Sequence, residues 1–145
     1  SLLGRLKLAS ENIVKSKCLN YLILRSSPLL GRGPVHRPTF VDTLRTRLSQ
    51  GKTIALNANE LYSFAPVQQF VEMTEFLIEL PQKNQIFHYG GLTKSSYFEI
   101  GKQLAQKWNY PPHLITPIYS EKNYKYSYTG TSDSHTMDYS LNASK

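Results

Sequence analysis

Hydrophobic residues recur at helical spacing in four stretches of the chain and form short continuous runs in three others. The spacing predicts helices over 3–17, 39–50 and 66–80, and a fourth that follows Ser96. The runs at 21–24, 53–56 and 86–89 are rich in aliphatic, aromatic or β-branched residues, and they predict strands. Amphipathic helices that alternate with short apolar strands indicate an α/β fold.

Polar residues at the helix boundaries support these assignments. Ser96 with Glu99 is a capping box, in which two side chains satisfy free N–H groups of the first helical turn. Thr39 with Asp42 three residues later predicts a second cap of the same kind. Gly90 and Gly91 follow the strand at 86–89, and we expect them to end it by adopting backbone angles that other residues avoid.

The run at 21–24 is nearly continuous in apolar residues, which is typical of a strand buried on both faces of a parallel sheet. A polar loop follows it, and the C-terminal ends of strands are where open α/β sheets bind ligands. His88 lies inside the strand at 86–89, so we expect a hydrogen-bonded core histidine there.

The composition places the chain among globular proteins of one-domain size, with 145 residues, 40% hydrophobic and 19% charged. No run approaches the roughly 20 apolar residues of a membrane span, so no membrane partner is predicted. The single cysteine, Cys18, excludes an internal disulfide and favours a reducing, cytoplasmic location. Because the chain begins with Ser1 rather than methionine, we expect a processed chain or a fragment.

The formal net charge of +7 raises the question of an anionic partner. The basic residues are dispersed rather than clustered, which favours a solvated surface over a nucleic-acid site. A small ligand that carries phosphate remains the alternative. No glycine-rich phosphate fingerprint follows a strand, and one cysteine with four dispersed histidines gives no zinc pattern.

Four segments together resemble a known family. Leu3–Glu11 reads LGRLKLASE, and Leu24–Gly31 reads LRSSPLLG. His88–Gly91 reads HYGG before the capped helix, and Pro112–Ile118 reads PHLITPI. The chain resembles the C-terminal part of the dTDP-4-dehydrorhamnose reductase family, which consists of extended short-chain dehydrogenase/reductase proteins.

The resemblance implies the C-terminal part of a Rossmann-like doubly wound sheet together with the small substrate-binding lobe. Residues 1–38 would be a remnant of the Rossmann domain, with the active-site helix, a strand and a loop. Residues 39–145 would form the lobe, with an intervening Rossmann strand and a tyrosine-rich tail.

The resemblance also assigns roles to individual residues. The family's catalytic tyrosine, which protonates the substrate carbonyl, is replaced by Leu3, whereas the family's lysine is kept as Lys7. Lys7 would be catalytic and would bind the cofactor ribose, and Ser26 and Ser27 would bind the cofactor. Tyr62 stands where related epimerases place an arginine near the sugar diphosphate, so it would contact the substrate.

These roles give three interpretations of function. The first is a fragment or degenerate relative of an NADP-dependent nucleotide-sugar reductase, inactive as this chain alone. The second is a non-catalytic binding protein like the regulatory β subunit of methionine adenosyltransferase. The third, a nucleic-acid-binding module, is disfavoured by the dispersed charges. The family uses NADP or NAD with a nucleotide-diphosphate sugar. We expect no cofactor on this chain alone, and we expect self-association.

Overall fold

The structure, a computed structural model, describes residues 2–81 and 83–120. Within these ranges, helices and parallel strands alternate, which confirms the predicted α/β class. The helices are α1 (Leu2–Lys17), α2 (Phe40–Ser49), α3 (Val67–Glu79) and α4 (Tyr97–Lys107), with a 3-10 turn at Pro112–Leu114. The strands are β1 (Leu22–Ser26), β2 (Leu29–Leu30), β3 (Ile54–Asn57), β4 (Ala65–Pro66), β5 (Gln85–Tyr89) and β6 (Ile115–Ile118). They pair in parallel as β1–β5, β2–β4 and β3–β6.

Helices α1 and α3 lie on opposite faces of the β1–β5 pair. Arg25 of β1 and His88 of β5 are register partners, and Arg25 contacts Glu11 of α1. The next residue of β5, Tyr89, packs its ring on Phe70 of α3, with the ring centroids 5.5 Å apart. Because successive side chains of a strand point to opposite faces, the two helices cover the two faces. This is the arrangement of a doubly wound sheet.

A separate core lies between α2, α4 and the β3–β6 pair. Its buried residues are Leu44, Leu48, Leu56, Ala105, Leu114 and Ile115. Gly101 brings α4 close to β3, since a Cβ at this position would lie 2.5 Å from the Leu56 Cδ1 atom. The apolar faces predicted for α2 and α4 therefore meet on this second pair of strands.

Both predicted capping boxes are present. The Ser96 hydroxyl accepts a hydrogen bond from the Glu99 backbone N–H at 3.1 Å, and the Glu99 carboxylate accepts one from the Ser96 backbone at 2.8 Å. Thr39 and Asp42 make the same reciprocal pair at the start of α2. Each box satisfies N–H groups that a helix terminus would otherwise leave without a partner.

The reason given for the paired glycines is wrong. Neither Gly90 nor Gly91 has a positive φ. A Cβ on Gly91 would instead lie well inside 3.0 Å of the Phe64 carbonyl oxygen, and the Gly91 N–H donates to the Ser63 carbonyl at 2.9 Å. The close approach of the backbone at 63–64 is what requires glycine here.

The burial predicted for β1 and His88 is also wrong. In the run at 21–24, predicted to be buried on both faces, Ile23 is buried and the other three residues are half-buried. His88, predicted to lie in the core, is exposed beside Arg25. Within the described ranges this sheet has two strands, so each strand has an open edge. The face toward α1 carries Ile23 and Ile86, and two residues further along it carries Arg25 and His88, whose polar side chains stay in contact with solvent.

Candidate functional site

The parallel strands β1 and β5 end side by side. Their last residues, Ser26 and Tyr89, are register partners, and the Ser27 N–H continues the pairing by donating to the Tyr89 carbonyl at 2.8 Å. Loops therefore leave both strands at the same edge of the sheet. In open α/β sheets this edge, at a crevice between loops, is where ligands bind.

A third segment closes against this edge. The Ser27 hydroxyl donates to the Ser63 carbonyl, and a Cβ on Gly90 would lie 3.1 Å from the Ser27 oxygen and 3.3 Å from the Ser63 Cβ. We call Ser26, Ser27, Ser63, Gly90 and Gly91 the strand-end site. Small residues at all five positions let three backbone segments approach closely, and they bring three serine hydroxyls and several backbone groups to one place.

Tyr62 adjoins the strand-end site and is held on three sides. Its backbone pairs with Ser95, with the two N–H···O distances at 2.9 and 3.0 Å. Its ring packs against Phe64 and Tyr97, with centroids 5.6 and 5.5 Å away. Its hydroxyl donates to the Glu60 carboxylate at 2.7 Å. Tyr62 is thus a rigidly placed, half-buried aromatic residue whose hydroxyl already has an acidic partner.

Tyr97 sits at the centre of this aromatic cluster. Besides Tyr62, its ring contacts Phe40 and Phe64, each with centroids 4.8 Å away and in an edge-on arrangement. Burial raises the pKa of the Tyr97 phenol, because desolvation penalises the charged form. The phenol therefore stays neutral across the physiological range.

Lys7 and Leu3 lie on α1 and are exposed. Within the described part of the chain, no hydrogen bond or ion pair joins Lys7 to the strand-end site. The position of Lys7 along the α1 axis can be derived from Glu11, which contacts Arg25 of β1. Lys7 is one helical turn before Glu11, about 6 Å along the axis. Ser27 is two residues beyond Arg25, about 7 Å along the strand.

The connection from α1 to β1 at 18–21 is short, so the helix and the strand run in opposite directions. One turn back along α1 and two residues forward along β1 therefore lead the same way. This places Lys7 at the level of Ser27, with Leu3 a further turn beyond it. The structure thus brings Ser26, Ser27 and Tyr62 to one edge of the sheet, with Lys7 level with them on the helix.

Sequence reasoning did not assign functions to Glu11, Arg25, Glu60 and Ser63. Glu11 and Arg25 stood within the quoted motifs, and the four-residue spacing from Lys7 to Glu11 was the one available signal that they share a helix face. Nothing in the sequence pattern could have indicated that the Ser63 carbonyl meets Ser27, because that contact joins segments 36 residues apart.

Asp42 also does more than cap a helix. Its carboxylate accepts from the backbone N–H of Gly33 at 2.7 Å and from that of Thr39 at 3.0 Å, and it contacts Arg32 at 3.4 Å. The Gly33 N–H, then the Thr39 groups and Arg32, hold the pKa of Asp42 well below its usual range. Asp42 therefore joins the loop that follows β2 to the start of α2 by hydrogen bonds.

No group of three or more potential metal-ligating side chains occurs in the described ranges. None of the helices in the described part of the chain has both the length and the apolar character needed to cross a membrane.

Parallel strands with helices on both faces define a Rossmann-like α/β fold, and the solved structures similar to it include those of NAD(P)-binding reductases and epimerases. The chain belongs to the RmlD substrate binding domain family, whose model matches residues 1–130. This finding confirms the resemblance drawn from the sequence motifs. Among curated proteins, none is similar enough in sequence to count as a match.

Solved structures give the same relationship. A dTDP-4-dehydrorhamnose reductase from Bacillus anthracis in complex with NADP is 25% identical, with a TM-score of 0.73 over 81% of this chain and 40% of that one. The Yersinia enterocolitica reductase is 25% identical, with a TM-score of 0.68 over 81% and 41%. A Clostridium acetobutylicum reductase, at 21% identity with a TM-score of 0.69 over 81% and 40%, supports the fold. The chain therefore spans about 40% of the length of these relatives.

Proposed function

We propose that this chain is a fragment or degenerate relative of an NADP-dependent nucleotide-sugar reductase of the dTDP-4-dehydrorhamnose type, and that it does not complete the reduction alone. The observation that carries this proposal is that the family's lysine is kept as Lys7, whereas the position of the proton donor holds a leucine, Leu3. Family membership and the reductase structures that match over 81% of the chain support the substrate class.

The loss of the proton donor limits what the chain can do. Reduction of a sugar ketone needs a hydride at the carbonyl carbon and a proton at its oxygen, and the nicotinamide cofactor supplies the hydride when it is bound. A positioned acid typically contributes a factor of about 10² to 10⁴ in rate. Leu3 is a hydrocarbon side chain, 67% exposed, and it has no proton to give. Lys7 then retains a binding role.

The residues at the strand ends fit only the ribose part of a dinucleotide. The Lys7 ammonium is exposed, and so is Ser26, so both can meet ribose hydroxyls. The Ser27 hydroxyl donates to the Ser63 carbonyl, but its oxygen can still accept a hydrogen bond. The sequence of this chain offers no glycine fingerprint for the pyrophosphate, so we expect dinucleotide binding by this chain alone to be very weak.

We place the sugar-diphosphate end of the substrate beside Tyr62. Because the Tyr62 hydroxyl donates to Glu60, it must leave that carboxylate before it can donate to a phosphate oxygen. Tyr62 would then act by ring contact and by one neutral hydrogen bond, which is weaker than the bidentate contact of an arginine. Diphosphate affinity should accordingly be lower than where an arginine stands.

The division at residue 38 belongs to the same proposal. The separate core around Leu44 and Ala105 supports a lobe in residues 39–145. The pairing of β5 with β1 supports the intervening Rossmann strand within it. The tyrosine-rich tail lies outside the described residues.

NADPH oxidation in the presence of a dTDP-4-dehydro sugar tests the loss of activity. We expect no turnover above the buffer blank. Turnover that Lys7→Ala abolishes and Lys17→Ala leaves intact would overturn the proposal, because it would show a working reductase site. Lys17→Ala is the matched control, since it removes the same charge from the far end of α1.

Amide chemical shifts, followed during titration with dTDP and separately with NADP⁺, test the binding part. Perturbations should centre on Ser26, Ser27 and Tyr62. If neither nucleotide shifts these amides, the chain shares the fold without the ligand.

A non-catalytic role, like that of the regulatory β subunit of methionine adenosyltransferase, is the second candidate. One observation favours it: Leu2, Leu6 and Ile13 are 67%, 57% and 62% exposed on α1. At 100° per residue these three side chains lie on the helix face opposite to Glu11, which points to the sheet. An apolar helix face turned to solvent is typical of a protein contact. A chain that binds neither nucleotide, but binds a protein partner through this face, would have this second role.

A further inference from the structure

We propose that Glu11 and Arg25 are positioning residues that hold α1 in the orientation that brings Lys7 level with the strand-end site. The role of Lys7 as a ligand-binding residue rests on the proposed function above. The positional part of the inference rests on the contacts alone.

The first observation is what attaches α1 to the sheet. Of its sixteen residues, all of them described, none is buried, and every one except Glu11 is exposed. The least exposed side chain of an amphipathic helix is thus a carboxylate, with 15% of its side-chain surface exposed. Helices normally dock through their apolar stripe. In this helix the side chain that the sheet covers most is a charged one.

The second observation is the geometry of that contact. Arg25 donates from Nε to Glu11 Oε1 at 2.8 Å and from Nη2 to Glu11 Oε2 at 2.7 Å. On its other side the guanidinium lies 3.5 Å from the His88 Nε2 atom. The hydrogen bond from Arg25 lowers the pKa of Glu11, so the pair is fully charged at neutral pH.

A bidentate pair restrains more than a distance. Two parallel N–H···O bonds fix the carboxylate in the plane of the guanidinium, so they limit rotation of the helix about its axis as well as sliding along it. Apolar contacts are non-directional and impose no such restraint. For a helix that buries no side chain, the pair therefore sets the orientation, even where exposed pairs add little to stability.

The consequence for Lys7 follows from helix periodicity. Residues four apart share a face, so the orientation that points Glu11 at Arg25 also turns Lys7 toward the sheet, one turn closer to the strand ends. Rotation of α1 by a quarter turn would carry Lys7 away from Ser27. Glu11 and Arg25 thus act on a bound ligand through Lys7 and do not contact it.

A spin label on the full chain tests this placement. The carrier is Lys7→Cys in a Cys18→Ser background, with a nitroxide attached, and the readout is paramagnetic broadening of the backbone amides of Ser27, Ser63 and Gly90. We expect strong broadening in the parent and about fivefold less in Glu11→Gln. A fivefold smaller population of the native helix orientation corresponds to a loss of roughly 1 kcal/mol. Glu75→Gln, the same change at an exposed position of α3, should leave the broadening unchanged.

Charge exchange separates positioning from loss of folding. The double variant Glu11→Arg with Arg25→Glu rebuilds the pair with reversed polarity, so broadening should return to within about twofold of the parent, whereas each single reversal should lose it. Two results would overturn the inference: weak broadening in the parent, or broadening in Glu11→Gln equal to that in Glu75→Gln. A double variant that does not recover while its circular dichroism is unchanged would do so as well.

A nucleotide titration keeps this inference separate from the proposed function. If the chain with its native Lys7 binds NADP⁺, Glu11→Gln should weaken binding by up to about fivefold and by no more than Lys7→Ala does, and it should cause no further loss in the Lys7→Ala background. If the native chain binds no NADP⁺, the proposed function fails at that point, and the broadening experiment still decides whether Glu11 and Arg25 position Lys7.

Discussion

Replacing Gly91 by alanine tests how closely the strand-end site is packed. The added methyl group would point at the backbone of Phe64, with its carbon more than about 1 Å inside the ~3.3 Å at which carbon and carbonyl oxygen normally meet. The obstacle is backbone, not the flexible end of a side chain, so no rotamer change relieves it. One of the two segments has to move.

The size of the effect follows from what that movement disrupts. Overpacking a close contact costs about 1–3 kcal/mol. The shift also weakens the 2.9 Å hydrogen bond from the Gly91 N–H to the Ser63 carbonyl, which contributes roughly 1 kcal/mol. We therefore expect Gly91→Ala to lower the free energy of unfolding by about 2–4 kcal/mol, a large share of the 5–15 kcal/mol typical of a domain.

Urea denaturation followed by circular dichroism measures this loss, with two glycines of the same chain as controls. A Cβ on Gly90 would meet its nearest atoms at 3.1 and 3.3 Å, so Gly90→Ala should cost under about 1.5 kcal/mol. Gly51 has a φ of +63° and open space around it, so Gly51→Ala should cost about 1 kcal/mol from backbone strain alone. A Gly91→Ala midpoint equal to that of Gly90→Ala, at an unchanged m-value, would refute the close approach described here.

Three further outcomes are expected. In a fusion of this chain to the dinucleotide-binding part of a relative, Leu3→Tyr should raise the reductase rate far more than it changes cofactor affinity. The reason is that the tyrosine hydroxyl acts mainly in the transition state. An equal or lower rate with cofactor bound would contradict the assignment of Leu3. Sedimentation equilibrium should show self-association at tens of micromolar. Helix α1 exposes several large apolar side chains, and in the described ranges β1 has an open edge. A monodisperse monomer would contradict the expected self-association. The free energy of unfolding should fall as the pH drops below about 4, because Asp42 has a lowered pKa when folded and its contribution is lost as that carboxylate protonates. Asp42→Asn should be less stable at neutral pH and should lack this part of the acid dependence, and a matching acid profile in the variant would count against the Asp42 loop contact.

The elements that could be predicted from the sequence are those with a local physical cause. The capping boxes at Thr39 and Ser96 need only residues three apart, and the apolar faces of α2 and α4 need only the helical period. The two-residue strands β2 and β4 were missed, because a pair of residues is too short to show any period. Their pairing is set by tertiary contact alone.

The burial of single residues was harder to predict, because it depends on what lies across the sheet. His88 lies in an apolar run, yet it is exposed. Its register partner is Arg25, which forms an ion pair with Glu11 of α1, so this end of the strand pair has polar neighbours. Gly91 was correctly picked out as the end of β5, but the carbonyl that requires it belongs to Phe64, 27 residues earlier. No local pattern encodes either partner.

The candidate site divides in the same way. Ser26, Ser27 and Tyr62 came from motifs, and the structure places them at one edge of the sheet. The roles given to them and to Lys7 remain predictions. The contact between Glu11 and Arg25 could not be predicted, because a sequence does not show whether a charged residue pairs with another element or with solvent.

The parallel pairing of the strands also determines when the chain can fold. The partners in β1–β5 are 63 residues apart, those in β2–β4 are 36 apart and those in β3–β6 are 61 apart. At the ribosome, where synthesis proceeds at about 5–20 residues per second, β5 is synthesised roughly 3–13 seconds after β1. During that interval the apolar residues of β1 and α1 are available to other chains, so the demand on chaperones should be greatest before residue 89 emerges. Mutations that slow translation between β1 and β5 would lengthen this interval and reduce the soluble yield, with no change in the folded protein.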